Sequence, residues 1–276
     1  MRIDSHQHFW IFDPVRDSWI DESMQKIQRD FLPADLQPIL KENGFDGCVT
    51  VQSDQSEKEN EFQLNNTAQN DFVKGVVGWV DLQADNIDEQ LAHFSSFEKM
   101  KGFRHVLQGE TQRDFMLRPA FLNGISNLEK YNFTYDILIF KDQLGYAADF
   151  TSRFPNQPFV LDHISKPDIK NGEIEQWTKG IQQLAKRENV SCKISGMVTE
   201  ADWHNWKPED FTSYLDVIVE AFGVERLMYG SDWPVCNVAG TYKQVVGLVE
   251  GYFANFSESE KKLIFGENAV KFYHLK

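Results

Sequence analysis

Eight short runs of β-branched and aromatic residues, each bounded by turn-forming residues, recur about every 25–45 positions along the chain. They begin near Arg2 (RIDSH), Phe45 (FDGCVTVQ), Val73 (VKGVVGWV), Gly102 (GFRHV), Thr134 (TYDILIF), Pro158 (PFVLDH), Val190 (VSCKISG) and Arg226 (RLMYGSD). Each interval holds a crossover helix and its loops, which every step between parallel strands requires. Helical signals occupy several of the gaps. Ala34–Asn43 is amphipathic and is followed by Gly44, and Asn86–Met100 spaces Ile87, Leu91, Phe94 and Phe97 by three or four residues. Pro208–Phe222 starts on a proline and stops at Gly223, Thr241–Phe256 is apolar on one face, and Ser257–Glu260 spells a capping box. Asp13–Pro33 has no clear periodicity and reads as a long loop after strand one, with room for a short helix. This alternation predicts an α/β fold, a single (β/α)8 TIM barrel spanning 1–276. The length of 276 residues suits it, since one such barrel needs roughly 250. An open doubly wound sheet would place a glycine-rich phosphate loop after strand one, where this chain has His6-Gln7-His8-Phe9-Trp10.

Charge narrows the partners. The 42 acidic and 28 basic residues give a net charge of −14, which argues against nucleic acid or an anionic membrane surface as a partner. No apolar run approaches the roughly 20 residues that span a bilayer. The three cysteines, Cys48, Cys192 and Cys236, are far apart and odd in number, and the first residues carry no apolar secretory stretch. The expectation is a cytoplasmic protein acting on a small molecule, with a homo-oligomer left open.

A barrel places its chemistry at the C-terminal ends of its strands, so the residues there are the candidates. Strand one ends in His6 and His8, strand two near Gln52, strand three at Trp79 and Asp81. Strand four carries Arg104, His105 and Gln108, and strand five Asp136. Strand six ends in Asp162-His163 with Lys166 beyond, strand seven carries Lys193 and Ser195, and strand eight ends in Ser231-Asp232-Trp233. Residues i and i+2 of a strand share a face, so both imidazoles of His6-Gln7-His8 can enter the lumen, where a close pair suits a divalent metal. Asp232 near these histidines can bind metal or act as general base toward water, although an aspartate here could also cap the following turn. Arg104, Lys166 and Lys193 form a basic set able to grip a carboxylate or an oxyanion. Trp10, Trp79 and Trp233 offer flat faces for a sugar ring, or simply core.

The sequences IDSHQHFW, GFRHVLQ, LDHISKP, YGSDWPV and FGENAVKFY, in this order, resemble the amidohydrolase superfamily, and within it the amidohydrolase-2 branch of sugar lactonases. The resemblance runs from the first strand to the last helix. It implies a distorted barrel of the metal-dependent-hydrolase type, with His6, His8, His163 and Asp232 as metal ligands. Asp136 stands where metal-rich members have a strand-five histidine, and strand four offers no bridging lysine or glutamate. A single divalent ion, zinc, is therefore expected, with metal-free hydrolysis also known in such relatives. The implied reaction is opening of an aldonolactone such as L-fuconolactone, with Asp232 and His163 as the catalytic pair. Gln52, Trp79, Arg104, His105, Gln108, Lys166 and Trp233 would meet the substrate. Non-oxidative decarboxylation, hydrolysis of a carboxylated lactone, and a non-catalytic binding barrel are the alternatives.

Overall fold

In a computed structural model, which describes residues 1–276, all eight expected strands form one parallel sheet in sequential order. They are β1 (Ile3–Gln7), β2 (Gly47–Val51), β3 (Val73–Gly78), β4 (Met100–His105), β5 (Thr134–Ile137), β6 (Phe159–Leu161), β7 (Val190–Ile194) and β8 (Leu227–Tyr229). The ring closes at the end of β1, where Gln7 bridges Trp233 beyond β8 and the His8 amide donates to the Trp233 carbonyl at 2.7 Å. No helix is long and apolar enough to cross a membrane.

Ten α-helices surround or cap the sheet: α1 (Pro33–Glu42), α2 (Glu57–Gln69), α3 (Ile87–Ser95), α4 (Pro119–Leu128), α5 (Leu144–Ser152), α6 (Glu175–Ala185), α7 (Glu209–Phe222), α8 (Tyr242–Tyr252), α9 (Glu258–Lys262) and α10 (Asn268–Phe272). The helix expected over Asn86–Met100 stops at Ser95, because Met100 already belongs to β4 and is buried there. The aperiodic Asp13–Pro33 segment is a loop with one 3-10 turn, Glu22–Ile27. The expected capping box is formed, with Ser257 and Glu260 exchanging side-chain and backbone hydrogen bonds. Apolar spacing does not single out α2, because its buried face is polar: Glu59, Asn60, Gln63 and Thr67. Asn60 both donates to the Trp79 carbonyl and accepts from the Trp79 amide, at 2.6 and 2.8 Å, and Gln63 donates to the Phe9 carbonyl at 2.8 Å. This helix is stitched to the barrel by side-chain amides rather than by a hydrophobic stripe.

The outer faces of the strands pack on the helices in one large core, which includes Phe103, Tyr135, Phe159 and Ile194. The lumen is filled in layers. At its N-terminal end Ile3, Val49, Val77, Val160 and Met228 meet Tyr273 and Leu275 of the C-terminal segment. Above this apolar plug lie four charges with almost no solvent exposure. The Lys193 ammonium contacts Asp136 directly and lies 3.0 Å from Asp162 Oδ1, while Arg104 Nη1 donates to Asp162 Oδ2 at 3.0 Å. The Tyr273 hydroxyl donates to Asp136 at 2.8 Å. Burial pushes the Asp136 carboxyl up to about 6 against the pull of Lys193. The Asp162 carboxyl is also opposed by burial, yet Lys193, His6 and Arg104 hold it well below the usual carboxylate range.

Three variants test this architecture. Replacing Lys193 with Met should lower stability by roughly 3–5 kcal/mol, since it strands a buried carboxylate. Adding Asp136→Leu should recover more than half of that loss; urea unfolding of both proteins measures it. Gly124 lies in the middle of α4, where helix propensity alone would favour alanine by about 1 kcal/mol. A Cβ there would stand 2.1 Å from the Leu82 carbonyl oxygen, so Gly124→Ala should instead destabilise by about 2 kcal/mol in the same assay.

Candidate active site at the C-terminal mouth of the barrel

Strand parity decides which of the expected residues meet. In β1, Ile3 points into the lumen plug, whereas Asp4 is reached from outside by the Tyr242 hydroxyl of α8 and Gln7 donates outward to Cys48 Sγ. Strict alternation from Ile3 would send His6 outward. The register against β2 slips between Asp4 and Gln7, and this bulge turns His6 and His8 inward. Their Nε2 atoms come within 3.2 Å of each other. The carbonyl of Val51 can only accept, so at 2.8 Å it fixes the proton of His8 on Nδ1 and leaves Nε2 as a free lone pair.

Asp232 closes the group. Its Oδ1 lies 3.4 Å from His8 Nε2 and 3.9 Å from both His6 Nε2 and His163 Nε2. The His163 ring stands 4.4 Å from the His6 ring, and its Nδ1 is 2.9 Å from Ser195 Oγ. Gly196 makes room for it: the residue has φ +62°, and a Cβ there would come 2.5 Å from His163 Nδ1. Burial lowers the His163 pKa to about 4, and burial with the Lys193 charge lowers that of His6 well below the ordinary imidazole value. Burial alone would raise the Asp232 carboxyl, but His163, His8 and His6 hold it below the usual range. Near neutral pH His6 and His163 are thus neutral imidazoles beside a carboxylate.

That donor set fits one divalent cation. Ligand atoms of His6, His8 and Asp232 lie within 4.8 Å of one another, and so do those of His6, Asp162 and His163. The first triad is the better fit, because His8 and Asp232 face the cavity and Asp162 is already engaged by Arg104 and Lys193. His6 Nε2 also lies 3.3 Å from Arg104 Nη1, so a cation held there would sit beside the guanidinium.

A cavity of about 330 Å³ opens above this group. Gln52, Arg104, Gln108 and Lys166 line it together with His8, His163 and Asp232. Arg104 Nη2 donates to the Gln52 carbonyl at 2.6 Å and to its side-chain Oε1 at 2.8 Å. A guanidinium only donates, so the Gln52 amide cannot flip, and its Nε2, which has no other partner, is a fixed donor. The expected basic set divides: Lys193 lies below the site, the Nη atoms of Arg104 serve Asp162 and Gln52, and Lys166 is left at the rim 3.8 Å from Glu200.

Three residues expected to meet substrate lie elsewhere. His105 alternates with Arg104 along β4, so it faces outward. There it stacks on Phe115, reaches Glu110 at 2.8 Å and lies 3.4 Å from the Trp79 indole nitrogen. Neither His105 nor Trp79 lines the cavity. Trp233 is buried edge-on against Phe9 and Phe31. The aromatic wall is made instead by Trp10 and Trp19, which meet edge to face at 6.1 Å. Trp19 comes from the aperiodic Asp13–Pro33 loop, where no periodicity could place it. The three thiols are buried and pushed up by burial, which rules out a cysteine nucleophile.

Known proteins match this chain over its full length. The family model described as amidohydrolase matches residues 3–275. An L-fucono-1,5-lactonase of Burkholderia multivorans is 36% identical over 286 residues, covering 100% of this chain and 96% of that protein. An L-fucono-1,5-lactonase of Burkholderia ambifaria is 33% identical, covering 99% of this chain and 96% of that protein. The crystal structure of an amidohydrolase from Burkholderia multivorans with bound zinc superposes with a TM-score of 0.97, at 35% identity and full coverage of both chains. By its sequence from β1 to the C-terminal segment, and by the barrel that sequence builds, the chain belongs to the amidohydrolase family.

Proposed function

We propose that this protein hydrolyses a sugar-acid lactone of the aldonolactone type, using His6, His8, His163 and Asp232. The observation that carries the reading is the placement of an ionised carboxylate and neutral imidazoles on the floor of a sugar-sized cavity walled by Trp10 and Trp19. Full-length similarity to two L-fucono-1,5-lactonases supports it. A carboxylate-bearing substrate is less suited, because two of the three expected cations are already paired with Asp162 and Asp136.

In this reading the lactone carbonyl carbon sits above Asp232. Asp232 takes a proton from water as the water oxygen bonds to that carbon. The carbonyl oxygen becomes an oxyanion, to which His163 donates from Nε2 in the tautomer whose Nδ1 accepts from the Ser195 hydroxyl, 2.9 Å away. The ring carbon–oxygen bond then breaks, and the alkoxide receives the proton from Asp232, giving the open-chain hydroxy acid. A zinc ion held by His6, His8 and Asp232 would supply Lewis acidity and a more acidic water. Gln52 donates to a substrate oxygen from its fixed amide, Gln108 and Lys166 meet ring hydroxyls at the rim, and the tryptophans cover the apolar face.

Proton release on a panel of fucono-, rhamnono-, galactono- and arabinonolactones tests this. At least one should turn over, and Asp232→Asn should lower kcat by about 10³ while the protein stays folded. Silence across the panel with zinc supplied would sink the lactonase reading. On the best lactone, Gln52→Glu keeps the shape but removes the donor. It should raise KM by about tenfold, equivalent to roughly 1.4 kcal/mol, with a smaller change in kcat.

A further inference from the structure

The proposed ligands straddle the weakest join in the barrel. β1 and β8 are the two ends of the sheet order and are not paired with each other along their length. Their backbones are joined where β1 ends and the chain leaves β8, by the Gln7–Trp233 bridge, by His8 N to Trp233 O, and by Asp232 N to His6 O at 2.8 Å, and below this the Ser5 hydroxyl donates to the Tyr229 carbonyl at 2.6 Å. His6 and His8 lie on one lip of this seam and Asp232 on the other. The separation of the imidazoles from the carboxylate is therefore set by how the two lips are held.

One side chain holds both. Asp4 is fully buried, and its Oδ1 accepts from the Ser231 amide at 2.9 Å and the His6 amide at 3.2 Å. Its Oδ2 accepts from the Tyr242 hydroxyl of α8 at 3.0 Å. All three donors are neutral. A buried carboxylate without a cation is expensive to keep, so its geometry needs a reason beyond stability. The seam is also tight: a Cβ at Gly230 would lie 2.6 Å from the His6 Cβ.

We propose that Asp4 is a positioning residue that spans the seam and sets the distance from His6 and His8 to Asp232, with Tyr242 bracing it from α8. Its amide partners are a proposed ligand, His6, and the residue next to one, Ser231. The inference rests on the reading of His6, His8 and Asp232 as a divalent-cation set.

The experiment measures zinc affinity by competition with a chromogenic chelator. It uses the parent protein, Asp4→Ala, Asp4→Asn and Tyr242→Phe, with circular dichroism establishing that each is folded at the working temperature. The parent should take up one zinc. Asp4→Ala should bind it about 10–100-fold more weakly, as loss of a partner behind a ligand does. Asp4→Asn should stay within about threefold of the parent, because its amide oxygen still accepts from both N–H groups and its NH₂ can donate to the Tyr242 oxygen. Tyr242→Phe should fall between them and serves if Asp4→Ala does not fold. Parent-like affinity in Tyr242→Phe and in a folded Asp4→Ala overturns the inference and leaves the metal reading intact. A loss in Asp4→Asn as large as in Asp4→Ala overturns it too, since charge rather than geometry would then matter. No zinc uptake by the parent overturns both.

Discussion

The site depends on a layer of buried charge that closes on itself. Two carboxylates, Asp136 and Asp162, and two cations, Lys193 and Arg104, meet in the lumen between an apolar plug and the histidines. In a low-dielectric lumen no member could stand alone, because an unpaired buried charge costs several kcal/mol. Together they sum to zero, and each then constrains something above. Arg104 locks the Gln52 amide, Asp162 and Lys193 face His6 Nδ1, and Tyr273 ties the C-terminal segment to Asp136. The layer thus passes order upward from the plug to the cavity floor.

The barrel was legible in the sequence because parallel strands are buried on both faces. They read as continuous β-branched and aromatic runs such as VKGVVGWV, and the spacing between runs leaves room only for crossovers. Helices were legible where their inner face is apolar, as in α3, α7 and α8, or where a capping box marks the start, as in α9. In α2 the contacts to the barrel are the amides of Asn60 and Gln63, which on hydropathy alone resemble a solvated surface.

The same physics explains which site residues could be read. His6 and His8 follow from the two-residue period, and His163 and Asp232 from their position at strand ends. Arg104 and His105 are neighbours, so only one could enter the lumen, and the inward phase of β4 selects Arg104. Trp233 sits at a strand end like Asp232, but its ring turns back into Phe9 and Phe31. The bulge in β1 left no mark in the composition. It exists because the chain needs Ile3 in the plug and His6 in the site, three positions apart on a period of two.

Backbone strain marks the same place. His163, Ile164, Ser165 and Lys166 all have φ between 48° and 61°, and Asp232 has φ 56°. Left-handed backbone costs an L-residue about 1–2 kcal/mol, and a β-branched residue such as Ile164 is among the least suited to it. Four in a row would not persist in a free loop. Here the turn is fastened from several sides: Ile164 is fully buried, its carbonyl accepts from the Trp177 indole of α6 at 2.8 Å, and the Lys166 amide donates to the His163 carbonyl at 2.8 Å. The consequence is directional. An extended continuation of β6 would alternate its side chains between lumen and helix layer, whereas the left-handed turn brings His163 beside Asp232 directly after the inward-facing Asp162. Adjacent residues thereby serve two levels of the site, Asp162 in the charge layer and His163 on the cavity floor. The strain is the local cost of placing both from one short strand, and the hydrophobic packing of α6 against the barrel is what sustains it.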